Sequence, residues 1–352
     1  GKATHQGETL DGAEALKRAG LKPVVLSSKE GLILLSGTTS VTAFASLAIY
    51  DAQTLSLTAD IAGSFTLEVL KGTLMAMDER LMAVRPHPDQ INTAANIRAI
   101  LKDSPMLERY RGHRVQDALS IRCMPQLHGP VKKAVKDAQA TLAIELNSSV
   151  DNPLIFDEED GGAVALMGCN ADGTYAGMAS DNLCIAITDL CKMSNSRIDR
   201  LLNSLVSELP AFLNKNADFN NGLMMIQYAS AGLQGELRIL AHPAVVDNLT
   251  TCANQEDYVN MGYNAAKKAY DSMHLAKYIL AAELICDGQA LDCYEDKRCA
   301  KGTQAIYDLL RSKVPEMDND MPLTPYLEAV AQQIIDRAYI RTVEASVGEL
   351  KF

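Results

Sequence analysis

The feature that most limits what this chain can fold into is a repeat of small and aliphatic residues at helical spacing. Val131, Ala134, Val135, Ala138 and Leu142 recur along one face, while Lys132, Lys133, Lys136 and Asp137 take the other. Pro130 suits the first turn of that helix, where its missing N–H costs nothing. A longer stripe, Ala266, Ala269, Tyr270, Met273, Ala276 and Leu280, predicts a helix over 258–285, about 40 Å long. Further helices are expected over 180–202 and 223–240. Another should start with Thr324 as N-cap and Pro325 in its first turn, and carry Leu327, Val330, Ala331, Ile334 and Ala338 inward. Asp11 and Glu14 have capping-box spacing, and Gly20 is placed to end the short helix that follows them.

Ala, Leu and Met at the contact positions, with aromatics at only 5%, suit closely packed helices, so an all-α bundle is expected. Strand signal is confined to 153–156 and 163–166, which allow at most one small hairpin near 154–167. No repeat, low-complexity linker or Gly/Pro cluster marks a boundary, so residues 1–352 read as a single helical unit.

A net charge of −11 argues against a nucleic-acid surface, which needs a basic face. No apolar run approaches the roughly 18 residues of a membrane span. Eight cysteines without a Cys-x-x-Cys pair read as reduced thiols, mostly small buried hydrophobes, and point to a cytoplasmic location. His5, His87, His113, His128, His242 and His274 lack the spacing of zinc fingers or metalloproteases. They read as surface or capping residues, and no metal is expected. The chain opens on Gly1-Lys2-Ala3-Thr4-His5-Gln6-Gly7, which reads as loop from the middle of a protein, so further residues are expected upstream.

Four polar stretches interrupt the helical pattern. In 29–39 an apolar run ends in Ser36-Gly37-Thr38-Thr39, which by itself reads as one helix ending and the next being capped. In 115–126, Arg122 is a lone cation among apolar neighbours. A guanidinium suits bidentate capture of a carboxylate, and equally a structural ion pair with one of the 44 acidic residues. In 145–154 and 167–173, Asn and Asp are mostly expected to bond their own backbone in turns. In 253–262, before the longest predicted helix, Glu256 is either an acid favoured at a helix start or a group aimed into a cleft as a base or cation partner.

Taken in order along the chain, these stretches resemble the C-terminal two-thirds of the histidine/aromatic amino acid ammonia-lyase family. Asp11-Gly12-Ala13-Glu14-Ala15-Leu16 with Ala19-Gly20-Leu21-Lys22-Pro23 is similar to the segment after that family's catalytic loop. Residues 29–38 resemble its Lys-Glu-Gly-Leu-Ala-Leu-Leu-Asn-Gly-Thr, and 115–125 its Val-Gln-Asp-Pro-Tyr-Ser-Leu-Arg-Cys-x-Pro. Asp151-Asn152-Pro153-Leu154, Gln255-Glu256-Asp257, Leu323-Thr324-Pro325-Tyr326 and Val343-Glu344 match as well.

The resemblance implies an elongated all-α bundle of long helices with ammonia-lyase (fumarase/aspartase-like) architecture, the family's N-terminal domain lying outside these residues. It implies a homotetramer with composite active sites drawn from three subunits, and a small amino-acid or betaine substrate, with no nucleic-acid or membrane partner. The implied chemistry is carbon–nitrogen elimination from a histidine-like α-amino acid, giving an α,β-unsaturated acid. The family's electrophile, 4-methylideneimidazole-5-one, forms from an internal Ala-Ser-Gly. Arg122 falls on the arginine that holds the substrate carboxylate, and Asn170 on a further carboxylate-side contact. Glu256 falls on a glutamate beside the substrate amine or ring, with Gln255 next to it. Asn220 and Gln227 match polar positions expected to be architectural.

The departures are as specific. No Ala-Ser-Gly occurs in the 352 residues, so the electrophile is expected only if the motif lies upstream. The asparagine that contacts it is Ser36, the tyrosine proposed as base is Leu119, and the Phe-His pair after Asn170 is Ala171-Asp172. Leucine neither accepts nor donates a proton. Three readings stay open: a histidine-type ammonia-lyase, a prosthetic-group-free lyase that eliminates trimethylamine from a histidine betaine such as ergothioneine, and a catalytically degenerate oligomeric homologue. In the second, Glu256 or Asp172 would face the quaternary cation.

Overall fold

A stretch rich in serine and threonine builds one of the two longest helices, α1 (Thr39–Val69). Ser46, Thr54, Ser56, Thr58 and Ser64 each donate a hydroxyl proton to the carbonyl four residues back, at 2.6–3.2 Å. Hydroxyls satisfied in this way stop competing with the helix, and residues 54–69 are buried without a break. A helix buried all round belongs at the centre of a core.

The structure, a computed structural model, describes residues 1–216 and 219–352. These fall into two units, Thr38–Ser148 with Asp172–Phe352, and Gly1–Gly37 with Ser149–Ala171. In the first unit α1 is followed by α2 (Pro88–Ile100), α3 (Met124–Glu145), α4 (Thr174–Leu202), α5 (Met224–Leu240), α6 (Gly262–Asp292), α7 (Lys301–Arg311), α8 (Thr324–Ile335) and α9 (Ala338–Val347). Helices α1, α4 and α6 pack against one another, and residues 279–292 of α6 are buried without a break, as in α1. The expected all-α class holds.

Several expectations need correction. Pro130 lies inside α3, which starts at Met124 and carries Pro125 in its first turn. Lys132, read as facing water, is fully buried because Asp60 of α1 receives its ammonium. The longest predicted helix starts four residues later and ends seven later, at Gly262–Asp292, because its second half has no polar face to mark its end. Thr324 is the first residue of α8, not its cap, and Ala338 begins α9 after a left-handed break at Arg337. His128 is buried, while Cys169 and Cys252 are exposed.

The second unit holds two antiparallel hairpins, β1 (Lys2–His5) with β2 (Glu8–Asp11), and β3 (Leu154–Asp157) with β4 (Ala163–Leu166). The β3–β4 hairpin is the expected one. The β1–β2 hairpin replaces the expected loop, and both its faces are largely exposed, so no apolar alternation announced it. Asp11 does precede a helix, Gly12–Arg18, but makes no side-chain cap. Glu14 accepts a hydrogen bond from Arg18 at 2.8 Å instead of closing the box. Gly20 follows this helix with φ +72°, in the left-handed conformation that ends helices.

Candidate active site

Two buried polar networks set the positions of the helices. In the first, Asp60 of α1 accepts from Lys132 Nζ at 2.5 Å, His128 Nδ1 at 2.8 Å and Asn96 Nδ2 at 2.8 Å, joining α1 to α2 and α3. Burial pushes Asp60 up, but Lys132 and His128 outweigh it and hold the carboxyl below its usual range. Burial pushes His128 down against the pull of Asp60. In the second, Arg197 of α4 donates Nε to Glu283 of α6 at 2.5 Å and Nη2 at 3.0 Å. Ser194 donates to the same carboxylate. The hydroxyl of Thr66 in α1 lies 2.9 Å from Glu283 and 2.7 Å from Asp287. One hydroxyl proton cannot serve both carboxylates, so Asp287 must supply the second. Burial and the neighbouring Glu283 raise Asp287 well above the usual carboxylate range, which keeps that proton in place.

The second network also places the candidate arginine. Arg122 closes a short helical turn, Leu119–Arg122, and Arg197 Nη1 donates to the carbonyl of Ser120 within it at 3.2 Å. On the far side of the turn, Met124 packs into the notch left by Gly63, where a Cβ would sit 2.3 Å from its sulfur. Arg122 donates Nη1 to Gln116 at 2.6 Å, and its buried Nε has no partner among the described residues. Next to it Asp117 is buried and accepts from the Thr73 N–H at 2.8 Å. Burial raises its carboxyl against that bond and against the charges of Arg114, Arg200 and Arg122. Leu119, where the resemblance places a tyrosine, is 61% exposed and offers no polar atom.

The Gln255-Glu256 loop is placed by glycines. A Cβ on Gly177 would lie 2.8 Å from Gly262 Cα, and one on Gly262 would lie 2.7 Å from the Gly173 carbonyl. The first turns of α4 and α6 therefore touch through backbone. Asp172 bridges them: Oδ1 accepts from Thr174 N at 2.9 Å and Oδ2 from Asn260 Nδ2 at 2.8 Å. Asn260 in turn accepts from Gly262 N at 3.0 Å. Upstream, Cys252, Ala253 and Asn254 all have left-handed backbone, with φ of 50°, 52° and 69°. Non-glycine residues held there cost about 1 kcal/mol or more each, and such strain clusters at functional sites. Glu256 follows directly, exposed, accepting from Thr251 Oγ1 at 2.9 Å, with Gln255 exposed beside it. Arg122 and Glu256 share a unit but, among the described residues, sit in separate hydrogen-bond networks.

In the other unit, Gly37 has φ +99°, and a Cβ there would lie 2.6 Å from the Val150 carbonyl, so only glycine lets the 29–37 and 149–154 segments meet. Lys29 ties the same segments by pairing with Asp151 at 2.6 Å and donating to the Pro153 carbonyl. Ser36 is exposed, its N–H given to the Leu32 carbonyl at 2.7 Å. Exposed Asn170 reaches the Ser149 carbonyl at only 3.5 Å, and Ala171 is half-buried. Asn220 Oδ1 accepts from Asp320 N at 3.0 Å, and Gln227 donates to Asp199 at 2.6 Å. Sequence reasoning missed Arg197, Glu283, Asp287 and Asp60. For Asp60, Glu283 and Asp287 the signal was a charged residue inside a largely apolar helical run; Arg197, among Ser194, Asn195, Ser196, Asp199 and Arg200, carried no such signal.

Ser36 and Leu119 stand where the resemblance places an asparagine and a tyrosine beside the family's electrophile, and the 352 residues contain no Ala-Ser-Gly. Among the described residues no helix is long and apolar enough to cross a membrane.

Long buried helices carrying an arginine turn and a Gln-Glu-Asp loop agree with the class that the following matches give the chain, the carbon–nitrogen lyases. The chain belongs to the aromatic amino acid lyase family, whose sequence model matches residues 1–312. It is 41% identical over 352 residues to histidine ammonia-lyase 2 of Fusobacterium nucleatum, covering all of this chain and 68% of that protein. The solved structure of histidine ammonia-lyase from Trypanosoma cruzi matches with a TM-score of 0.88 and 33% identity, over 97% of this chain and 65% of that one. Ergothionase from Treponema denticola matches with a TM-score of 0.85 and 25% identity, over 96% and 68%. The chain thus spans about two thirds of the length of these relatives.

Proposed function

We propose that this chain grips an α-amino acid of the histidine type by its carboxylate on Arg122 and takes part in eliminating its amine. The observation that carries this reading is Arg122 itself. The backbone of its turn is anchored to a buried network at Ser120, one N–H is given to Gln116, and a buried Nε has no partner among the described residues. That is a guanidinium held in place with donors to spare, as a carboxylate ligand requires. In the elimination a base takes a proton from the carbon β to the carboxylate. The electron pair forms the double bond and the carbon–nitrogen bond breaks, giving an acrylate and the free amine. Glu256, on its strained loop, faces the amine or ring. Asp172, both of whose oxygens are occupied by protein, acts by positioning that loop.

Self-association into a homotetramer in the cytoplasm belongs to this reading. Leu21, Val24, Val25, Leu34 and Leu35 are all exposed in their unit, which suits burial against further protein.

The test is Arg122→Ala in the full-length protein, followed by ultraviolet absorption of the acrylate. KM should rise about a hundredfold, the worth of a lost bidentate pair. Unchanged KM would remove Arg122 from the substrate site.

A second reading is favoured by Leu119 and Ser36, which stand where the resemblance places a tyrosine and an asparagine. A quaternary amine leaves as trimethylamine without prior activation, so a histidine betaine needs no electrophile, while a base must still take the β-proton. Histidine and ergothioneine supplied side by side decide between them. Ammonia from histidine supports the first and trimethylamine from ergothioneine the second. Release of neither points to a degenerate homologue.

A further inference from the structure

Two cationic groups and a histidine converge on one carboxylate at the edge of a large cleft. Glu208, itself left-handed with φ 60°, receives Lys71 Nζ at 2.9 Å, His113 Nε2 at 2.9 Å and Arg114 Nη2 at 3.0 Å. The cations are withdrawn and the anion is not: the side chain of Lys71 is 11% exposed and that of Arg114 15%, against 45% for Glu208. Lys71 also lies 5.2 Å from the Tyr110 ring centre. Lys71, His113, Arg114 and Tyr110 line a cleft of about 780 Å³, within the range of small-molecule sites.

Hydrogen bonding is incomplete there. Lys71 and Arg114 are both positive at neutral pH and share the Glu208 carboxylate, and buried Asp117 is a further acid that feels Arg114. Arg114 Nη1 is buried and has no partner among the described residues. Of the acids lining the cleft, Glu108 is paired with Arg111, which leaves Asp103. Lys71 and His113, then Arg114, hold Glu208 down to about 2, so it stays ionised and behaves as a built-in anion. A tetrahedral oxyanion carries more charge and more acceptor oxygens than a carboxylate. The cleft is far larger than such an ion, and Leu74, Leu101 and Leu107 with Tyr110 give it an apolar wall.

We propose that this cleft is a second binding site, for the phosphoryl group of a small phosphorylated metabolite. Lys71, His113 and Arg114 are its ligands, and Glu208 is the internal anion that the phosphoryl group displaces.

The test is calorimetric titration of the full-length protein with inorganic phosphate and with adenosine monophosphate, in chloride buffer at constant ionic strength. Both should bind. Tighter binding of the nucleotide means that the apolar wall takes part, and equal affinity means that the site reads the phosphoryl group alone. Glu208→Gln should tighten both by about tenfold, the effect of one charge-assisted competitor removed. Lys71→Met should weaken both by at least as much. Far-ultraviolet circular dichroism shows that each variant is folded, and Lys71→Met keeps the test alive if Glu208→Gln is not. No binding of either ligand up to about 10 mM, beyond the weakest useful affinity, overturns the proposal. So does binding that neither substitution changes.

Discussion

Arg197→Met should be the most damaging conservative-volume change in the core. Arg197 and Glu283 are both fully buried, and the guanidinium makes two of the four hydrogen bonds that the carboxylate receives. Methionine keeps the aliphatic stem and removes the charge. What remains is a buried carboxylate four residues from Asp287 on the same helix, with two hydroxyls for company. Removing one partner of a buried pair costs about 3–5 kcal/mol, because the survivor is left uncompensated. The surviving carboxylate can lower that cost by taking up a proton. A buried acid whose folded pKa rises contributes stability at low pH that is lost as pH rises through that value. The loss in the variant should therefore be smaller at pH 5.5 than at pH 7.5, by at most about 1.4 kcal/mol per unit. Urea unfolding followed by far-ultraviolet circular dichroism at the two pH values measures both effects. Replacing the pair together, with Arg197→Met and Glu283→Leu, should recover part of the loss. A cost below about 1 kcal/mol at pH 7.5, or an equal cost at both pH values with no recovery in the double variant, would refute the reasoning.

Three further outcomes follow from the same physics. Asp287→Asn keeps a donor for Thr66 and removes the acid that burial and Glu283 raise. Wild-type stability should fall as pH rises from about 5 to 8, and the variant should lose that slope, which thermal melts across the range will show. Lys132→Met strands buried Asp60 with His128 and Asn96 alone and should cost about 3–5 kcal/mol by urea titration. Gly177→Ala drives a Cβ to 2.8 Å from the Gly262 backbone and should cost about 1–3 kcal/mol. Because it separates the Asp172 and Glu256 loops, turnover should fall more than stability, read as kcat against melting temperature.

Helices with one wet face were legible in the sequence, and helices without one were not. The stripes at 131–142 and 266–280 stood out because lysines and other polar residues occupied the opposite side. In α1 nothing alternates: residues 54–69 are all inside, and their many hydroxyls look like turn formers until each is seen bonded to its own helix. Lys132 was misplaced for a related reason. Its partner Asp60 lies 72 positions away, and no local pattern says that a lysine on a polar face is turned inward. At the candidate site the residue types carried the information. Arg122, Gln255 and Glu256 stood out as charges and amides at the edges of apolar runs. What supports them did not: the hold of Arg197 on the Ser120 carbonyl spans 77 positions, and the left-handed run of Cys252, Ala253 and Asn254 uses residues with no preference for that conformation.

The unbroken burial of α1 bears on how the sequence can drift. An amphipathic helix offers evolution a lane of permissive positions on its wet side, as α7 does with exposed Lys301, Gln304 and Asp308. The second half of α1 has no such lane. Substitution tolerance plotted along residues 54–69 should form one flat, intolerant block with no helical rhythm. Neutral change in this protein is then confined to its outer helices, and lineages that diverge widely elsewhere should still share this segment nearly letter for letter.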